Sequence, residues 1–395
     1  AITLAPGQPA GAAAAASTER RLYDLGTFRR AELRFEPEPV AEAESGVLPV
    51  KAVVSLEETR RFQLRYGLEV SSEYNSALGQ RSNAWGVAAD LRDRNFLGRG
   101  MSLGGGIRYE PDLRSVRSLF SVPKLAGRPI RTNVYLTARG EEDATEQQVR
   151  VRDDEDEVAR EQRWRLSRAI EYSWGYSANW RDTQLASAAR EEPLAFAGTL
   201  ASLNGAAVVD RRDSFFDAKR GWFGSASLQW GERALGSDLD YLRTLIRGSY
   251  YQPVGRVVLA GNLQWGRLLP LGGVPPLTVF DLFFNAGGTE TVRGYSQDEL
   301  SAYDFLGAPL GGTKLLVGTA ELRAPLFWRF GGVLFADAGN TFTERQRIRF
   351  HDLAVGLAIG LRINTPLAPV RIDLGFPRRQ GESGPRWHFS IGQMF

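Results

Sequence analysis

Residues 352–364 read Asp-Leu-Ala-Val-Gly-Leu-Ala-Ile-Gly-Leu-Arg-Ile-Asn. Leu353, Val355, Leu357, Ile359, Leu361 and Ile363 share one parity, and Asp352, Ala354, Gly356, Ala358, Gly360, Arg362 and Asn364 the other. Successive side chains of a strand point to opposite faces, so the stretch predicts one apolar face and one small or charged face. The alternation outlasts the usual globular strand of about 5–6 residues and matches the ~10 that a tilted strand needs to cross a bilayer. The pattern recurs. Val370, Ile372, Leu374 and Phe376 oppose Arg371, Asp373 and Gly375; Trp222, Gly224, Ala226, Leu228 and Trp230 oppose Ser225, Ser227 and Gln229; Val257, Leu259, Gly261, Leu263 and Trp265 oppose Asn262 and Gln264.

A soluble β-sandwich alternates too. Three features favour a membrane barrel: the strand length, the placing of Trp222, Trp230 and Trp265 near strand ends as interfacial girdles, and a second face suited to a crowded lumen. A barrel also removes the open edges that so much β-structure would expose. Short links at 95–100, 123–129, 252–256, 325–331 and 365–369 alternate with longer polar ones, including the acidic 141–157 and the very long 268–312. The expected fold is therefore all-β, an antiparallel transmembrane barrel of roughly sixteen strands over residues 59–395. No window of 18 apolar residues exists for a helical span. The mean hydropathy of −0.27 is compatible with a barrel, because only alternate residues face lipid.

Composition closes off other classes. The 395 residues include no cysteine and only two histidines, His351 and His388, so disulfides, thiol chemistry and cysteine-ligated metals are excluded. Of 49 basic residues only Lys51, Lys124, Lys219 and Lys314 are lysines; arginine pairs best with carboxylates in a confined polar space. The 46 acidic residues are spread among them, which argues against a nucleic-acid face. No nucleophile elbow or phosphate-binding loop is present, and neighbouring His351 and Asp352 would point to opposite faces of a strand. Neither enzymatic activity, cofactor nor resident metal is expected; the run Asp153–Glu157 reads as a solvated loop.

The front differs. Ser17–Leu25 reads as the end of a helix stopped by Gly26, followed by strands at Phe28–Phe35 and Val47–Leu56. That is too little for an independent domain, so residues 1–58 are expected to be the end of one.

Gly287-Gly288-Thr289-Glu290-Thr291-Val292-Arg293-Gly294-Tyr295, in the longest loop, resembles the Val-Arg-Gly-Phe/Tyr loop of the BamA/TamA outer-membrane insertase superfamily. Ala320-Glu321-Leu322-Arg323, Phe335-Ala336-Asp337-Ala338-Gly339 and the terminal Phe389-Ser390-Ile391-Gly392-Gln393-Met394-Phe395 resemble, in order, its inward glutamate, its Phe-x-Asp-x-Gly strand and its last strand. Val209–Asp213 with Lys219-Arg220-Gly221 fits a recurrent turn, and Leu22–Phe28 is similar to the helix-to-strand corner of a POTRA domain.

The resemblance implies that the loop folds into the barrel, where Arg293 meets Glu321 and Asp337, with Gly294, Tyr295 and Gly339 completing the lock. It implies a working seam between the first strand (Phe62, Leu64, Tyr66, Leu68) and the last (Phe389, Ile391, Gly392, Phe395). The implied function is insertion of other β-barrel proteins by lateral opening of that seam and strand templating. The implied partners are outer-membrane lipids, unfolded β-barrel clients, periplasmic chaperones and accessory lipoproteins. The implied location is the outer membrane of a Gram-negative-type bacterium with the N-terminus in the periplasm. The alternatives are a polypeptide-secretion pore of the two-partner type and a barrel anchor for a lost upstream domain.

Overall fold

The structure, a computed structural model, describes residues 7, 9, 11–23, 26–38, 49–75, 80–144, 149–187, 194–272, 282–301, 311–365, 369–378 and 384–391. The first element is helix α1 (Ala12–Tyr23), which buries Thr18 and Leu22. It lies against strand β1 (Phe28–Pro37), where the Leu33 amide donates to Glu19 at 2.8 Å. Among the described residues β1 pairs antiparallel with β2 (Val50–Glu58) alone, so this unit has its own two-stranded sheet. Gly26, at φ +69°, takes the left-handed turn that leads out of the helix.

All later strands belong to one sixteen-stranded antiparallel sheet in strict sequence order. They are β3 (Phe62–Asn75), β4 (Gln80–Phe96), β5 (Met101–Tyr109), β6 (Leu113–Val122), β7 (Ile130–Ala144), β8 (Val149–Arg165), β9 (Ile170–Ser187) and β10 (Leu194–Asp210). There follow β11 (Gly221–Gly231), β12 (Tyr241–Val254), β13 (Val257–Pro270), β14 (Lys314–Pro325), β15 (Phe330–Phe342), β16 (Ala354–Ile363), β17 (Val370–Pro377) and β18 (Arg386–Ile391). Each strand pairs with its sequence neighbours, as short connections favour.

Parity decides the two faces. In β16 the odd positions Val355, Leu357 and Ile359 are exposed while Ala354, Gly356 and Ala358 are buried. All nine tryptophans are exposed, from Trp265 at 36% to Trp328 at 84%. In a water-soluble fold most of that indole surface would be buried, so the exposed face is built for an apolar or interfacial solvent. The core sits on the opposite face. There Leu282, Phe284, Ala286, Val292, Tyr295 and Leu300 of the long loop pack on Tyr241, Leu268, Leu315, Val317 and Ala354.

Three expectations need correction. The acidic stretch 141–157 is not a loop, because β7 and β8 run through it as a paired hairpin from Ile130↔Trp164 to Ala144↔Arg150. The acids sit in the ladders beside bases: Glu141 with Arg139 at 2.8 Å, Asp154 with Arg152 at 2.9 Å, Asp153 with Arg181 at 3.1 Å. Charge pairing along the strand for Glu141 and Asp154, and across to β9 for Asp153, lets an acidic run extend as strand. Second, His351 and Asp352 lie in a 3-10 turn rather than a strand, and their side chains meet at 3.1 Å. Third, the sheet is not closed by backbone pairing: among the described residues β3 and β18 have no hydrogen bonds to each other.

Candidate functional site

The residues that form the site come from four strands and one loop. Glu321 in β14 shares its inward face with Thr319 and Arg323, and Thr319 stands opposite Asp337 of β15. Asp373 of β17 and Arg362 of β16 lie on the same side, further towards β18. The loop segment 287–295 descends onto this face, placing Arg293 at its centre with no solvent exposure.

Arg293 donates from Nε to Asp337 Oδ2 (2.8 Å) and from Nη2 to Asp337 Oδ1 (2.9 Å), the two-pronged fit of guanidinium to carboxylate. Its backbone amide also donates to Asp337 Oδ2 at 3.0 Å. Nη1 stands 2.9 Å from Glu321 Oε1 and 3.4 Å from Asp373 Oδ2. The guanidinium carbon lies 3.1 Å over the Phe335 ring. Burial would lower the Arg293 pKa, but its hydrogen bonds to Asp337 and the charges of all three carboxylates raise it instead, so the side chain is a permanent cation. Arg323 donates to Glu321 at 2.8 Å and Arg362 pairs with Asp373, so three arginines alternate with three acids. A buried charge network of this kind survives only when it is paired.

Backbone space explains the glycines. Gly294 has φ +98°, and a Cβ there would press the Phe376–Pro377 backbone at 3.1 Å. A Cβ at Gly356 would overlap the Arg293 carbonyl oxygen, and one at Gly375 the Gly294 amide. The loop can descend because these strand positions present no side chain. At Gly339 a Cβ would stand 2.8 Å from Val317 and 2.9 Å from Val292. Tyr295 is fully buried and its hydroxyl donates to the Val355 carbonyl at 3.1 Å.

The structure thus brings Arg293, Gly294, Tyr295, Glu321, Asp337 and Gly339 into one cluster. The seam residues stand apart from it. Phe62, Leu64, Tyr66 and Leu68 on β3 and Phe389 on β18 are all exposed on the outer face. Ile391 is the last described residue of β18 and its side chain is not described; Gly392 and Phe395 lie outside the described residues.

Sequence reasoning missed the link between cluster and last strand. His388 of β18 is buried, and its Nε2 accepts a hydrogen bond from the Gly294 amide at 2.9 Å. Arg386 at the start of β18 donates to loop residue Glu299 at 2.6 Å. Asp373 was legible, since parity puts it inward with Arg371 and Gly375. His388 was not, because nothing in a single strand's pattern says which loop atom will reach it.

The description "Omp85 superfamily domain" fits residues 95–395. The chain is similar to the outer membrane protein assembly factor BamA of Nitratidesulfovibrio vulgaris, with 26% identity over 199 residues, covering 47% of this chain and 24% of that protein. It is similar to the chloroplastic outer envelope protein 80 of Arabidopsis thaliana, with 28% identity over 117 residues, 28% of this chain and 14% of that protein. The matches thus cover a quarter or less of either relative. Among solved structures, BamA from Haemophilus ducreyi lacking POTRA domains 1–3 superposes with TM-score 0.75 at 15% identity, covering 99% of this chain and 79% of that one. CdiB from Acinetobacter baumannii gives 0.58 at 12% identity, covering 94% and 66%. These likenesses establish a shared fold.

Proposed function

Because the chain belongs to the Omp85 superfamily, we propose that it is an outer-membrane barrel that inserts client β-barrel proteins, using the open edge between β3 and β18 as the template. One observation carries the reading. β18 is tied to the inward loop through Gly294–His388 and Glu299–Arg386, while its far edge has no strand partner among the described residues. An edge held in place but left unpaired offers backbone donors and acceptors to an incoming strand, and strand addition is an established recognition mode. The step needs neither nucleotide nor cofactor, because each client strand trades the edge bonds for its own. The loop cluster positions the edge, and the exposed apolar face of β3 and β18 faces lipid, so a client strand entering there meets its final solvent at once.

In this reading residues 1–58 are the end of a periplasmic POTRA domain, residues 59–395 the barrel, and chaperones or lipoproteins deliver clients from the N-terminal side of a Gram-negative-type outer membrane. The test exploits the absence of native cysteine. Cysteine pairs are introduced along β3 and β18 and oxidised, and insertion of a client barrel into vesicles is followed by its heat-modifiable mobility. Locking the seam should stop insertion and reduction should restore it; full insertion through a locked seam would eliminate lateral templating.

A second reading is a secretion pore gated by the loop. The likeness to CdiB and the packing of residues 282–301 on the inner face favour it. Conductance that rises sharply on deleting residues 286–300, with client insertion unaffected by seam locking, would select the pore.

A further inference from the structure

The connection between β15 and β16 folds over the outer ends of β15, β16 and β17 and borders a half-open cavity of about 820 Å³. It lies at the end of the sheet opposite the α1–β1–β2 unit, since antiparallel strands return there after every second link. Its wall includes Asn340, Val355 and Arg378, whose parity is that of the exposed Leu334, Leu357, Ile359 and Phe376. The cavity therefore opens beside the lipid-facing wall, at the level where the apolar band ends.

Its chemistry is cationic. Arg345, Arg347, Arg349 and Arg378 all line it, and none forms an ion pair or side-chain hydrogen bond with a described residue. Of the two acids there, Glu344 pairs with Arg267 at 2.7 Å, and Asp352, which lines the cavity, lies 3.1 Å from His351, so four arginines face a single lining carboxylate. The loop is held by β14 and by its own bonds. Lys314 Nζ donates to the carbonyls of Glu344 (2.8 Å) and Gln346 (2.6 Å), the Thr343 amide donates to the Gln346 side chain at 2.8 Å, and a 3-10 turn spans Phe350–Asp352. Phe350, 84% exposed, projects from that turn as an interfacial anchor.

We propose that this cavity binds the phosphate-bearing headgroup of an anionic lipid in the outer leaflet, with the four arginines as its donors. Guanidinium groups fit phosphate oxygens in pairs, and each cation near an anionic lipid surface gains attraction that accumulates along a cluster. A free anion would need only the arginines. A lipid also uses the apolar wall directly beneath them, where Val355, Leu357 and Phe376 accept its acyl chains. The proposal rests on the outer-membrane reading above, and the test separates the two.

The full chain in neutral maltoside micelles is titrated with phosphatidylglycerol, phosphatidylcholine or inorganic phosphate, and bound molecules are counted by native mass spectrometry. Phosphatidylglycerol should bind, and the variant R345Q/R347Q/R349Q/R378Q should bind it at least about tenfold more weakly. The variant R99Q/R128Q, altered at the opposite end, should match the original chain. Equal binding by the glutamine variant, equal binding of phosphatidylcholine, or displacement by equimolar inorganic phosphate would each overturn the proposal. Should the quadruple variant not fold, the four single variants decide: graded loss supports the site, no loss removes it. Tryptophan quenching by brominated acyl chains in reconstituted vesicles provides the control. Unquenched tryptophans would defeat the membrane reading; quenched tryptophans with lipid binding unchanged in the glutamine variant would defeat only the cavity.

Discussion

Arg293 faces three carboxylates with a single side chain, so its removal is costly in a specific way. Arg293→Ala leaves buried Asp337 without a counter-charge, while Glu321 and Asp373 keep only Arg323 and Arg362, and breaking such a buried pair costs roughly 3–5 kcal/mol. The expected outcome is a lower unfolding midpoint in detergent, together with protease access to the loop. Arg293→Lys should recover little of the loss, because an ammonium cannot grip Asp337 with two prongs and still reach Glu321. Asp298 supplies a pH test. It is buried in the loop at φ +58°, and burial pushes its carboxyl up from 3.8 to about 6, partly opposed by the hydrogen bond from Gln297. The folded loop therefore binds a proton that the unfolded chain has already lost, and its stability should fall as pH rises from about 4 to about 6. The whole effect is on the order of 2–3 kcal/mol. Asp298→Asn tolerates the left-handed backbone and should abolish that slope in amide exchange of residues 286–300.

At the scale of elements, the loop and β18 act as one unit through His388 and Arg386. Nε2 of His388 must be unprotonated to accept from Gly294, which places the ring proton on Nδ1. His388→Phe fills similar space but leaves the Gly294 amide buried without an acceptor, a loss of about 1–3 kcal/mol. Faster amide exchange in β18, with β9 and β10 unchanged, is the expected signature; uniform exchange would show that the tie carries no load. Gly356→Ala tests the same contact from the strand side. Its methyl would overlap the Arg293 carbonyl oxygen, so the loop must lift while β16 itself remains intact. Much of this was legible beforehand. Parity in Leu353–Ile363 and Val370–Phe376 read the strands correctly, and the Arg293, Glu321 and Asp337 positions could be named from their motifs. The hairpin across residues 141–157 was misread, because composition alone makes five consecutive acids look like a loop; Arg139 and Arg152 two residues along the same strands and Arg181 on the neighbouring one changed that outcome.

For the molecule as a whole, the distribution of tryptophan is the sharpest global statement. All nine indoles are exposed, and in a bilayer of brominated lipid they should be quenched together while aqueous acrylamide quenches weakly. The opposite ranking would mean that the apolar face meets another protein surface rather than lipid. Among the described residues the sheet contains sixteen strands joined only to sequence neighbours, so its two terminal edges, β3 and β18, are where this sheet can accept a strand. Their unpaired state concentrates the proposed activity in one place. The inward loop, far from that edge in sequence, reaches it across β14 to β17.

The sequence by itself determined the alternating faces, the strand number and the residue types available for an interior ion cluster. Period-two patterning is local: each side chain's face follows from its neighbours along the backbone. Only the tertiary structure decided that Asp373 joins the Arg293 network, that His388 receives the loop, that β3 and β18 do not pair among the described residues, and that four arginines gather around one cavity. Those outcomes depend on register and on the path of a long loop, where residues as many as 94 positions apart meet, and no periodicity along a single strand encodes such a distance.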